Sequence, residues 1–169
     1  MSAAFTGASL VYDHNNIEDQ ISDYAVTAHA DNALNSDAQL AALHSVSITT
    51  FNRIILITGQ VPSIDDYQHI DDLVKNTTGA IKVFNAVEIG KPLPPLTIAQ
   101  DAWITTKIKT QIIAAHGINP SKVKVITDDG IVYLMGTVTK QQAQMITNIA
   151  KQSSGVKKII EIFNYVIIT

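Results

Sequence analysis

The side chains with the most chemical potential fall in two places. Asp65, His69 and Asp72 stand at i, i+4 and i+7, with Asp66 and Asp71 beside them, so two carboxylates and an imidazole share one side of a helix. Such a set has the donor types of a divalent-metal site. Carboxylates in a first helical turn also simply complement the helix dipole, and that is the expectation here: no metal site and no cofactor. His14, His29, His44 and His116 show no paired ligand spacing. The second place is the segment from Trp103 to Ala114, where an aromatic ring, two lysines and four isoleucines fall at helical spacing. Nothing resembles a nucleophile elbow, a phosphate loop or a dinucleotide fingerprint, and no cysteine is present. The expectation is a protein without catalytic machinery.

On a wheel of 100° per residue, Ile104, Ile108, Ile112 and Ala115 fall within about 80° of one another, the stripe a helix buries against its sheet. The opposite side holds Trp103, Thr106, Thr110, Ile113 and Ala114, flanked by Lys107 and Lys109. A helix serving only its own core would be polar there. An indole ring favours the membrane interface, being apolar with a wet N–H, and neighbouring lysines reach lipid phosphates at about 1 kcal/mol each. The alternative is that the same face packs on the first unit or on a second copy.

Charge supports a division of labour. Of the 169 residues, 46% are hydrophobic and 16% charged, with net charge −3. Residues 1–95 carry four cations against eleven carboxylates, a net −7, and residues 96–169 carry eight against four, a net +4. The basic half suits an anionic partner. The acidic half and the thin spread of lysines argue against nucleic acid.

The elements that must position these residues repeat. Lys91-Pro92-Leu93-Pro94-Pro95 interrupts helix and strand alike and marks a linker over 91–97. On each side the pattern is helix, strand, strand, helix, strand. The first unit, 17–90, is expected to have a helix from Ile17 to Leu34, strands 45–50 and 54–60, a helix N-capped by Ser63 with buried stripe Ile64, Tyr67, Ile70 and Val74, and a strand 81–89. The second, 98–169, is expected to have a helix 98–115, a hairpin turning at Asp128-Asp129-Gly130, a helix opened by the capping box Thr139/Gln142, and a strand 156–168. Leu34 matches Ile112, Gly59 matches Gly136 and Gly79 matches Gly155, at offsets of 78, 77 and 76. Ordered landmarks with so slow a drift indicate a duplication. The last strand is apolar on both parities, so its second face is expected to be covered, and units of this size are expected to pack together.

Gly79-Ala80-Ile81-Lys82-Val83-Phe84-Asn85-Ala86-Val87-Glu88-Ile89 resembles the closing signature of the BON domain (bacterial OsmY and nodulation). Gly130-Ile131-Val132-Tyr133-Leu134-Met135-Gly136-Thr137-Val138 resembles its central hairpin, and Gly155-Val156 repeats the closing glycine. From about residue 9 onward the chain resembles the dual-BON-domain outer-membrane lipoproteins of Gram-negative bacteria, most specifically at Asp101-Ala102-Trp103-Ile104-Thr105-Thr106-Lys107-Ile108. Glu161 stands where the signature has the asparagine of Asn85. The resemblance implies an α+β fold of two tandem αββαβ domains, each a three-stranded mixed sheet on two helices. It implies a periplasmic protein, peripheral to or anchored at the inner leaflet of the outer membrane. Residues 1–16 would be a tail following a removed signal and lipobox. It further implies anionic phospholipid binding by the second domain, with Trp103 and the Ile113 position on the lipid-contacting face. The alternative is a protein adaptor for the outer-membrane assembly machinery or a cell-wall amidase activator.

Overall fold

A computed structural model describes residues 4–11, 22–43 and 45–167. It divides into two compact units, Ile17–Leu93 and a second built from residues 94–169 together with the N-terminal segment. In chain order the elements begin with β1 (Ala4–Val11), α1 (Asp23–Asn35), β2 (Val46–Phe51), β3 (Ile54–Val61) and α2 (Ile64–Val74). The first unit closes with β4 (Lys82–Asn85) and β5 (Glu88–Ile89). The second contains α3 (Pro95–Ala114), β6 (Val123–Asp128), β7 (Ile131–Val138), α4 (Lys140–Gln152) and β8 (Lys158–Tyr165). This is the expected duplicated αββαβ order.

In each unit a hairpin pairs antiparallel and the last strand returns parallel to its second arm: β2 with β3 and then β4–β5, β6 with β7 and then β8. The landmark offsets hold in register, since Val46 faces Gly59 as Val123 faces Gly136. The glycines are needed at those crossings. A Cβ on Gly136 would lie 2.7 Å from the Lys122 carbonyl oxygen, and one on Gly59 would collide with that of Ser45. The β6–β7 turn has Asp129 at φ 51° and Gly130 at φ 75°, the left-handed pair whose twist suits a two-residue hairpin.

Two helices cover one face of each sheet. Val26, Ala30 and Leu34 of α1 and Ile70 and Val74 of α2 meet Ile55, Ile57 and Val61. In the second unit Ile104, Ile108 and Ile112 meet Val125, Val132, Leu134, Ile146, Ile159 and Phe163. The other parity is buried too: Tyr133, Met135 and Ile162 are almost without exposure, in keeping with the two-sided apolar character of the last strand.

Four expectations need correction. Residues 4–11, expected to belong to a tail, form β1, which pairs parallel with β8 and makes the second sheet four-stranded in the order β1-β8-β7-β6. The strand expected over 81–89 is interrupted between β4 and β5. Asn85 causes this, for its Oδ1 accepts from the Val87 N–H while its Nδ2 donates to the Tyr67 carbonyl at 3.2 Å. Its counterpart Glu161 instead accepts a short hydrogen bond from the Thr147 hydroxyl of α4 and leaves β8 unbroken over eight residues. The second unit therefore offers a straight edge that β1 occupies. Third, Ile64 is exposed, and Asp66 takes the inward place at the start of α2. The Gln39 amide and the Ser63 hydroxyl both donate to its carboxylate and hold it below the usual range. Fourth, α1 starts at Asp23; Ile17 and Ile21 lie outside the described residues.

Two of the three candidate metal ligands, His69 and Asp72, have partners within the fold. His69 Nε2 lies 2.6 Å from Asp37 Oδ2, tying α2 to the loop after α1, and Asp72 accepts from Lys75 Nζ at 2.9 Å. Among the described residues no three His, Asp or Glu side chains converge on a metal position. The His69 contact, with amides of Leu40 and Gln39, depresses the Asp37 carboxyl. A depressed carboxyl stabilises the fold above its unfolded value of about 3.9, and that contribution disappears as pH falls through the folded value. Urea denaturation at neutral pH and near pH 3 is expected to show a smaller acid-induced loss in Asp37→Asn than in the parent chain.

Candidate lipid-facing helix

The site is the outer face of α3, and its geometry begins at the prolines. Pro94 is extended (φ −61°, ψ 151°) and Pro95 occupies the first helical position, where its missing N–H costs nothing and its ring fixes a helical φ. The helix thus starts three residues before the expected Ile98. That extra turn adds Leu96 to the face, two turns before Trp103.

Ile104, Ile108 and Ile112 face the sheet and are buried. Trp103 is 64% exposed, Ile113 67% and Leu96 70%. Thr106, Thr110 and Ala114 are exposed on the same face, while Lys109 is exposed and Lys107 half-buried at its margins. The structure therefore brings all seven residues named from the sequence onto one side of one helix, and adds Leu96. From Leu96 to Ile113 the stripe runs about 25 Å.

Two details make this face less polar than its letters suggest. The Thr106 hydroxyl donates to the Ala102 carbonyl at 2.9 Å and the Thr110 hydroxyl to the Thr106 carbonyl at 2.8 Å. With their protons committed to the helix, both threonines can enter a less polar medium without breaking a bond to water for that proton. The single acid of α3, Asp101, is buried, so the outer face carries no carboxylate to repel an anionic surface.

Asp101 also explains how the helix is held. Its Oδ2 accepts from the Asp129 N–H at 2.8 Å and its Oδ1 from the Gly130 N–H at 2.9 Å. The β6–β7 turn is thereby tied to α3 two residues before Trp103. The first unit uses the same device, for Asp23 accepts from the amides of Asn52 and Arg53 at 2.8 and 2.7 Å. A second shared contact joins helix to hairpin, Thr105 with Thr127 at 2.8 Å and Thr27 with Thr50 at 2.7 Å. Helical spacing alone does not reveal Asp101 as a tether; its recurrence as Asp23 at the repeat offset of 78 is the signal that could have.

The duplicated scaffold has a common part and a divergent part. The tether recurs, but the residue at the Trp103 position in α1 is Ala25. Among the described residues no helix is long and apolar enough to cross a membrane.

The BON domain model matches residues 22–91 and again 100–164. The outer membrane lipoprotein DolP of Haemophilus influenzae is 34% identical over 146 residues, covering 86% of this chain and 76% of that protein. A 21 kDa hemolysin of Actinobacillus pleuropneumoniae is 30% identical, covering 87% of this chain and 76% of its own length. The osmotically-inducible protein Y of Escherichia coli is 28% identical, covering 86% and 73%.

Proposed function

The chain belongs to the BON-domain family, with one copy of the domain in each half, and we propose that it is a non-enzymatic protein of the bacterial envelope whose second domain docks on anionic phospholipid at the inner leaflet of the outer membrane. Docking there supports outer-membrane integrity and envelope assembly or division-site remodelling. The envelope location draws on the similarity to the outer membrane lipoprotein.

The observation that carries the reading is the exposed stripe Leu96, Trp103 and Ile113, set with Lys107 and Lys109 in the half of the chain whose net charge is +4. The apolar residues insert at headgroup depth and the lysines engage phosphates. Neither term suffices alone: two lysines contribute about 2 kcal/mol near an anionic surface.

Co-sedimentation of the purified chain with phosphatidylglycerol-containing vesicles tests this. Binding is expected, with phosphatidylcholine vesicles leaving the protein in solution. Raising salt from about 0.05 M to about 0.5 M should weaken it roughly tenfold, because the Debye length falls from about 14 to about 4 Å and screens the attraction between the lysines and the anionic surface. A protein that acts purely as an adaptor between other proteins would remain in the supernatant throughout.

A further inference from the structure

We infer that the outer edge of β8 is a strand-acceptor site in which β1 is the resident occupant, and that the partner it fits is an extended segment of another protein carrying an arginine where β1 has Gly7. The inference does not depend on the lipid-docking reading and uses none of its residues.

The backbone supplies the acceptor. β8 is unbroken over Lys158–Tyr165, and β1 pairs parallel along all of it, from Ala4 with Lys158 to Val11 with Tyr165. Extended peptides add to such an edge through main-chain hydrogen bonds, and alternate side chains entering recesses give specificity. The first unit lacks an equivalent edge, because the Asn85 side chain engages the Val87 N–H and the Tyr67 carbonyl where β4 ends and β5 has yet to begin. The resident strand is a modest one. Four of its eight residues, Ala4, Gly7, Ala8 and Ser9, are small and favour a strand weakly, so the ladder itself does most of the holding and a better strand can replace it.

The side chains supply an unfilled place. Glu161, midway along β8 and only 6% exposed, lies on the face that α4 covers and accepts a hydrogen bond from Thr147. Two adjoining recesses of about 420 and 450 Å³ open beside it, bordered by Lys140, Gln144 and Tyr165 on one side and by Gln144, Asn148 and Lys151 on the other. Across the ladder the residue in register with Glu161 is Gly7. Register neighbours in a sheet direct their side chains to the same face. The position from which a neighbouring strand would fill the recess therefore carries no side chain.

The chemistry of the recess selects the occupant. An enclosed carboxylate whose partner among the described residues is a neutral hydroxyl gains most from a cation with several N–H groups. A guanidinium forks onto a carboxylate bidentately. Its remaining N–H groups suit the side-chain carbonyl oxygens of Gln144 and Asn148. Lys140 and Lys151 do not fill this role: they stand about 16 Å apart along α4, at opposite ends of the recesses, and both are exposed, so their ammoniums can remain in water while the middle takes the guanidinium.

The test uses the full chain and two fluorescently labelled peptides spanning residues 2–12, one of native sequence and one with Gly7→Arg, with binding read by fluorescence anisotropy. β1 competes from within the same chain at an effective concentration of about millimolar, so the peptides are titrated to that range. The Gly7→Arg peptide is expected to bind about tenfold or more tightly than the native one. Glu161→Gln in the chain, which keeps the volume and the Thr147 bond, should remove most of that preference. Thr6 and Ile160 are register partners in a chain without cysteine, so a disulfide joining Thr6→Cys to Ile160→Cys locks β1 in place. The locked chain should not bind the peptide, and reduction should restore binding. If the Gly7→Arg peptide fails to bind, or binds the locked chain undiminished, the β8 edge is not an acceptor and the inference is overturned. Equal affinity of the two peptides, or a preference that survives Glu161→Gln, overturns the basic partner and leaves the β1 strand of a second copy as the occupant.

Discussion

Replacing Trp103 by glutamate is expected to lower affinity for phosphatidylglycerol vesicles by roughly three-hundredfold while leaving the fold untouched. A tryptophan side chain offers roughly 200 Å², and moving about half of it out of water at about 25 cal/mol per Å² contributes about 2.5 kcal/mol. A carboxylate turned toward anionic lipid opposes docking by about 1 kcal/mol more. Together these exceed what removing either flanking lysine would cost. The fold should not register the change, because Trp103 is 64% exposed and lies outside the core cluster; exposed substitutions of this kind stay within about 0.5 kcal/mol. Circular dichroism and urea denaturation would establish the second half of the prediction, and co-sedimentation the first. Ile113→Asp should act in the same direction with a smaller effect, since its side chain is smaller.

Asp101→Ala is expected to do the reverse, unfolding the second unit more easily by about 3 kcal/mol or more. Its carboxylate satisfies two backbone N–H groups, and the bond to Gly130 is buried. Hydrogen bonds to a charged acceptor contribute about 1.5 to 3 kcal/mol each, and an amide left unpaired away from water retains its desolvation penalty. The equivalent Asp23→Ala in the first unit should cost less, because the bond from Asn52 is exposed and that from Arg53 only partly buried. Trp103, the sole tryptophan, reports the second unit, so its fluorescence follows Asp101→Ala in urea, while far-ultraviolet circular dichroism, which registers both units, follows Asp23→Ala: a large midpoint shift is expected for the first and a small one for the second. Shifts of equal size would mean that the tether in the second unit adds nothing beyond its counterpart.

Much of this was legible from local pattern. The buried stripe of α3, the capping box at Thr139, the cap at Ser63 and the Asp-Gly turn each depend on residues within a few positions of one another. So did the outward face of α3, because a helix repeats its faces every 3.6 residues and a misplaced tryptophan is conspicuous. What escaped was non-local or one residue too subtle. β1 contains Gly7 and the small residues Ala4, Ala8 and Ser9, poor strand formers whose pairing is decided by an edge more than 150 positions away in the chain. No periodicity within Ala4–Val11 announces that partner. The break after Asn85 arises because an asparagine side chain competes for backbone groups, which an apolar alternation over 81–89 conceals. Leu96 lay on the wrong side of an assumed boundary; a proline pair suggests a stop, yet its second member is well suited to begin a helix. Ile64 illustrates the converse, a residue with correct spacing whose place is taken by a hydrogen-bonded aspartate.

The two repeats differ in a way that would confine the proposed docking to one half. Both units share the aspartate tether, the threonine contact and the glycine crossing, which are the requirements of the fold. They differ in the exposed residues laid over that frame: Trp103, Lys107 and Lys109 in a basic half, against Ala25 in an acidic one. On the proposed reading, a duplicated scaffold free to vary on its surface has one copy suited to an anionic partner, and a lipid surface would match it in both charge and polarity.

The most direct measurement is the emission of that single tryptophan during titration with vesicles, since no other indole contributes. If α3 docks as proposed, phosphatidylglycerol vesicles shift Trp103 emission to shorter wavelength and shield it from acrylamide, and phosphatidylcholine vesicles do neither. An emission maximum and an acrylamide quenching constant that stay at their values in buffer, at lipid concentrations saturating for comparable interfacial helices, would contradict the account.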